Sequence, residues 1–281
     1  MKPLRKQGII LFTILALIMV ACGGDTAEET VEEAAPEVVE TLDSPAVTTA
    51  STVKTGVGVT SDPCPEVIGG IPTGADPSKG CIYLGLLNDY TGPFGPYGIP
   101  LETGQRGFWL WANQSGGIGD YSVAIVEGYD TQYNPQKHLE GYKAQRDEVA
   151  ALAMSLGTPQ TQFILDDMDA DNMVAAPMSW YSGWSYKGSD RGLVIEFGAA
   201  YCADGMNAVD WAMANLPVDI KTIGVMGYAG DYGGDYAAGI RVAAEANGLE
   251  VAWEYIVPST EFDVAQAVGL MVTKPVDAYF P

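Results

Sequence analysis

Between residues 81 and 280 the chain alternates short, continuous apolar runs with longer stretches of mixed polarity. Cys81-Ile82-Tyr83-Leu84-Gly85-Leu86-Leu87 has no polar break, the pattern of a strand covered on both faces. Further runs of this kind predict strands at Tyr121–Glu127, Val149–Ser155, Val174–Ser179, Leu193–Phe197, Thr222–Tyr228, Leu249–Ile256 and Val276–Phe280. The intervening stretches predict helices over Leu101–Gln114, Asn134–Glu148, Gln160–Ala170, Asp204–Asn215, within Asp231–Asn247, and over Glu261–Val272. Gly116-Gly117 stops the first of these, Asp204 is a candidate cap, and Gly248 is a natural stop after the Asn247 helix. Strands alternating with helices mean parallel sheets flanked by helices. The series is too long for one such sheet, so two lobes are expected, with a first crossing near Gly198–Tyr201. The final apolar run, Val276–Phe280, has no covering helix after it and reads as part of a longer protein.

The first 62 residues follow other patterns. Lys2, Arg5 and Lys6 precede an apolar run from Ile9 to Val20, a length suited to a signal segment and short for a membrane span. Met19-Val20-Ala21-Cys22 resembles a bacterial lipobox, which marks Cys22 for lipidation after cleavage. From Asp25 to Asp43 eight acidic residues stand without a base, and Ala, Thr, Val and Ser fill the rest up to about residue 60. That composition has too little apolar surface to offset chain entropy and predicts a tether. The expected organisation is a signal over 1–21, a tether over 22–62, a first lobe over 63–197 and a second, incomplete lobe over 198–281.

Charge and cysteine content narrow the function. Lys plus Arg is 14 and Asp plus Glu is 36, a net charge of 14 − 36 = −22. Nucleic acid needs a basic footprint, so no such partner is expected, nor is electrostatic docking on anionic lipid. An exported protein is expected to pair Cys64 with Cys81 around a Pro- and Gly-rich loop, leaving Cys202 unpaired. No C-x-x-C, P-loop, G-x-S-x-G or H-E-x-x-H occurs. Gly117-Ile118-Gly119 lacks the third glycine of a dinucleotide loop, and it precedes a strand. Asp167, Asp169 and Asp171 mimic the start of a calcium loop, but Asn172 and Met178 stand where Gly and Glu are needed, so a solvated helix end is expected. His138, among Gln136, Lys137 and Glu140, reads as a surface residue. With one histidine and no nucleophile–base pair, no enzyme activity, cofactor or metal is expected.

Two segments carry binding chemistry. Thr158 before Pro159 is a candidate helix N-cap, where free N–H groups and a hydroxyl suit a carboxylate. Ser179-Trp180-Tyr181-Ser182-Gly183-Trp184-Ser185-Tyr186 sets four aromatics among hydroxyls after a strand, suited to a ligand part apolar and part polar. Tyr90 and Phe94 are candidates for the rim of the same cleft.

The order and spacing of several motifs resemble the branched-chain amino acid-binding proteins, extracytoplasmic solute receptors of ABC transporters with the two-lobed type I periplasmic-binding fold. These motifs are Tyr90-Thr91-Gly92-Pro93 with Gly98, then Asp130 and Pro135, then Gly157-Thr158-Pro159-Gln160-Thr161. The strand ending at Ser179, Gly230-Asp231-Tyr232-Gly233 and Lys274-Pro275-Val276-Asp277 follow. The resemblance covers Ile82 to Phe280. At the crossing, Glu196–Cys202 replaces the family's usual Arg-Thr-type stretch. The resemblance implies that the Thr158 position holds a ligand carboxylate, that Ser179, Ser182 and Gly183 supply hydroxyl and backbone contacts, and that Tyr232 lies over the ligand. Tyr181 joins this set from the same aromatic run. The family's acidic partner for a ligand ammonium falls beyond Pro281. The implied activity is capture of an amino acid or a related carboxylate or amide for delivery to an ABC permease. A ligand-sensing lipoprotein that reports to a signalling partner would use the same fold. Mass spectrometry of membrane-extracted protein is expected to find a diacylated Cys22; an unmodified N-terminus would remove the anchor.

Overall fold

In the computed structural model the described residues are 54–185, 188–258 and 261–281. The signal, Cys22, most of the expected tether and Tyr186 lie outside them. Val59–Thr60 (β1) falls within the expected tether, yet it pairs antiparallel with the start of the first long strand, Gly80–Asn88 (β4). A two-stranded ribbon of Val67–Ile68 (β2) and Ile71–Pro72 (β3) turns at Gly69 and Gly70, both at positive φ. Cys64 and Cys81 form the expected disulfide, which ties this ribbon segment to the beginning of β4.

β4 is the centre of the first sheet. It pairs in parallel with Tyr121–Ile125 (β5) and Tyr129–Asp130 (β6) on one side, and with Ala151–Leu156 (β7) on the other. Ala175–Met178 (β8) extends the sheet beyond β7. Of the strand expected at Leu193–Phe197, a single parallel bridge remains, Val194 opposite Ala175. Successive β4 side chains point to opposite faces, so Leu86 packs with Ile125, Met154 and Leu156 on one side while Leu87 packs with Tyr142, Leu152 and Met168 on the other. Each such buried side chain contributes roughly 1.5–3 kcal/mol of transfer free energy.

The helices differ from expectation in instructive ways. The first, Gly95–Gln114 (α1), begins six residues before Leu101 because the Asp89 carboxylate accepts from Gly92 N (2.6 Å) and Phe94 N (2.7 Å), closing a tight turn ahead of Pro96. Pro135–Gln145 (α2) is capped by Asn134, whose Oδ1 accepts from Gln136 N and Lys137 N. The helix expected over Gln160–Ala170 is two, Thr158–Phe163 (α3) and Leu165–Asp171 (α4), broken at the buried Ile164.

The second sheet has the order β10-β9-β11, all parallel: Thr222–Tyr228 (β9), Glu250–Val257 (β10) and Ala278–Phe280 (β11). Tyr201–Asn215 (α5) and Gly233–Asn247 (α6) bury Val209, Ala212, Ala237 and Ile240 against Ile223 and Val225. α5 starts at Tyr201, so Asp204 lies in its first turn and is not its cap. Gly205 and Gly239 let α5 and α6 approach closely, because a Cβ on either would strike backbone oxygen of the other helix, Tyr236 O and Cys202 O. Val264–Thr273 (α7) covers the opposite face at Trp253 and Tyr255. Beside β11 a groove of about 460 Å³ opens against α5, lined by Trp211, Leu216 and Phe280 among others. Among the described residues no helix is long and apolar enough to cross a membrane.

Cys64→Ser with Cys81→Ser is expected to lower unfolding free energy by about 3 kcal/mol on the chain-entropy model, read from urea midpoints with and without reductant. A double variant as stable as the parent would show that the bridge constrains nothing.

Candidate functional site

Open parallel sheets present their ligand-facing loops at the carboxyl ends of their strands. Here these are residues 89–94 after β4, 131–134 after β6, 157 after β7, 179–185 after β8, and 229–232 after β9. Gly157, at φ 101, takes the N-cap position of α3, so Thr158 is already helical and does not cap it. Its hydroxyl instead bonds the Ser179 hydroxyl, which also accepts from Trp184 Nε1 at 3.0 Å. Thr158 is 2 % exposed and Ser179 3 %. The two loops singled out from the sequence therefore meet.

Ser182 opens a short 3-10 turn, Ser182–Trp184, and reaches the second half of the fold. Its backbone N–H donates to Asp235 Oδ2 (2.9 Å) and its hydroxyl to Asp235 Oδ1 (2.5 Å). Cys202 N–H donates to the same carboxylate at 3.3 Å. Asp235 stands in the first turn of α6, where a negative charge suits the helix dipole. Gly183 lies against the Tyr181 ring, where a Cβ would collide, and Tyr181 packs edge-on against Trp184. Tyr232 is 57 % exposed and sits edge-on to Tyr201. Tyr90 is turned toward α1: its hydroxyl donates to Glu102 Oε2 at 2.6 Å, and burial raises its pKa. Arg106 holds Glu102 in place and donates to Ile125 O and Val126 O.

Tyr133 is the residue that the sequence did not disclose. Its ring stacks on Phe94, and its carbonyl accepts from Gln160 Nε2 at 2.7 Å. Burial, then the charges of Asp231, Tyr201 and Asp89, push its phenol up to about 12. A ring at that place depends on two consecutive left-handed residues, for which no side-chain pattern gives a signal.

His138 is not on the surface. It is fully buried, with Nε2 2.8 Å from Ser155 Oγ, and Ser155 Oγ lies 2.7 Å from Thr161 Oγ1. Thr161 Oγ1 donates to Gly157 O at 2.8 Å, so a hydroxyl chain runs from α2 to the Gly157 turn. Among the described residues no carboxylate, histidine or cysteine cluster could hold a metal. Asp171 accepts from Tyr142 and Arg146, while Arg191 pairs with Asp166 and Asp169.

A family model described as periplasmic binding protein matches residues 81–280. The chain belongs to the periplasmic binding protein family. Solved members of similar architecture include a fatty acid ABC transporter substrate-binding protein from Thermomonospora curvata, at 27 % identity and a TM-score of 0.64 over 80 % of this chain and 52 % of that one. A branched chain amino acid ABC transporter protein from Thermus thermophilus with bound valine matches at 15 % identity and 0.60, over 72 % and 52 %. A solute binding protein from Rhodopseudomonas palustris HaA2, in complex with p-hydroxybenzoic acid, matches at 15 % and 0.61, over 72 % and 54 %. The chain thus spans about half the length of these periplasmic binding proteins. A search of curated proteins found no match.

Burial lowers the His138 pKa to about 3, with desolvation the cause. The unfolded chain, with an ordinary value near 6.5, takes up a proton that the folded chain refuses. Stability is therefore full above about pH 6.5 and falls by up to about 1.4 kcal/mol per pH unit as the pH drops toward 3. His138→Gln is expected to flatten that slope in urea titrations across this range; an unchanged slope would place the proton uptake elsewhere.

Proposed function

We propose that the protein is an extracytoplasmic solute-binding lipoprotein of an ABC importer, anchored through Cys22. Residues 63–197 and 198–281 contribute to two lobes that close on a small amino acid or a related carboxylate or amide. The single observation that supports this most is that the loop after β8 meets Thr158 through the Ser179 hydroxyl and reaches the second half of the fold through Ser182, which donates to the Asp235 carboxylate of α6. Of three solved relatives, one is a fatty acid ABC transporter substrate-binding protein, one holds bound valine and one is in complex with p-hydroxybenzoic acid. Each of these compounds joins a carboxylate to an apolar part. The same pairing of chemistries stands here, with the Thr158 and Ser179 hydroxyls beside the aromatic loop of Trp180, Tyr181 and Trp184 and with Tyr232 beyond. A ligand that contacts both lobes favours their closed arrangement in proportion to its preference for that state, and a permease reads the closed form. No bond in the solute is made or broken.

A thermal-shift screen of amino acids, amides and small acids against the intact protein is expected to return a stabilising ligand. Calorimetry is then expected to show Thr158→Val binding that ligand about tenfold more weakly, a loss of about 1.4 kcal/mol. A screen without a stabilising compound would count against the reading, and unchanged affinity in Thr158→Val would remove that hydroxyl from the site.

A further inference from the structure

Gln132 and Tyr133 lie at φ 51 and 52, two consecutive residues with side chains in the left-handed region. Such conformations cost free energy and persist only where the surroundings over-determine them, which happens most often at ligand sites. Three contacts do so here. The Asp130 carboxylate accepts from Gln132 N at 3.2 Å. Gln160 Nε2 donates to Tyr133 O. Gly157 leaves room for the ring, because a Cβ there would run into Tyr133 Cε2. Gln160 is 2 % exposed, and its Oε1 has no hydrogen-bond partner among the described residues. A buried amide commits its donor to one carbonyl and leaves its acceptor unmatched, so the cost of holding this turn is borne twice.

The turn fixes the position of one aromatic ring. Tyr133 stacks on Phe94 with centroids 4.1 Å apart and planes at 29°. From the other half of the fold, Tyr201 packs edge-on against Tyr232 at 4.9 Å and against Trp180 at 6.1 Å. Backed rings of this kind suit a flat partner, which gains offset-stacked and edge contacts that a puckered ring of equal size does not.

We propose that Tyr133, held by its left-handed turn and backed by Phe94, forms a subsite for a planar aromatic ring of the solute. The inference rests on the solute-binding reading and adds a ligand class to it. Matched pairs test it: benzoate against cyclohexanecarboxylate, and benzamide against cyclohexanecarboxamide, each titrated calorimetrically into the intact protein. Within a pair the head group is constant and only planarity changes. At least one aromatic member is expected to bind five- to tenfold more tightly than its saturated partner. Tyr133→Phe is expected to retain that preference and Tyr133→Leu to reduce it below twofold. Equal binding within both pairs of the parent protein overturns the subsite without recourse to any variant, as does a preference that survives in a folded Tyr133→Leu. No binding by any of the four also overturns it. Stabilisation of the same preparation by leucine or another aliphatic amino acid would then leave the receptor reading standing.

Discussion

One carboxylate joins the two halves of this molecule. Asp235, at the start of α6, takes hydrogen bonds from the Ser182 N–H, the Ser182 hydroxyl and the Cys202 N–H. Those donors come from the loop after β8 and from the start of α5, so three segments from both sides of the crossing meet at one charge. Charge-assisted bonds of this kind are stronger than neutral ones, and the helix dipole adds to them. The position is held from behind by the glycines of α5 and α6, which bring the helix backbones into near contact. That close packing fixes Asp235 of α6 relative to the start of α5, where the Cys202 N–H donates to it. Removing the carboxylate strands its donors, and a Cβ at Gly205 or Gly239 would push the two helices apart.

Much of the fold was legible because burial on both faces writes itself into sequence. β4, β7 and β9 are unbroken apolar runs, and each appears within a residue or two of its expected bounds. What was hidden is local in origin. β6 and the β2–β3 ribbon are two-residue strands, too short for a period. The early start of α1 depends on one carboxylate, Asp89, turned back onto its own loop. The strand expected at Leu193–Phe197 is little more than Val194, since its neighbours Leu193 and Ile195 both bond to the single residue Ala175.

His138 shows how a helix can conceal its inner face. The buried positions of α2 are His138, Gly141, Tyr142 and Gln145, a regular helical stripe built almost wholly from polar or small residues. A hydropathy pattern assigns that stripe to solvent. It is inside because each of the three polar side chains meets a specific partner: Ser155 for His138 Nε2, Asp171 for Tyr142, and Leu86 N for Gln145. The candidate site was legible in the same uneven way. Hydroxyls and aromatics after strands marked Thr158 and the Ser179–Trp184 loop. Tyr133 carried no mark, because its position is set by backbone torsion and by a glutamine 27 residues further on.

The disulfide and β1 have a mechanical meaning. Both attach at Cys81 and Ile82, the amino end of β4, whereas the candidate site gathers at the opposite end, past Asn88. The nine residues of β4 separate those ends by roughly 25 Å. Any load on residues 59–64 therefore enters the sheet at the end of β4 remote from the candidate site, where a covalent link and a strand pairing share it.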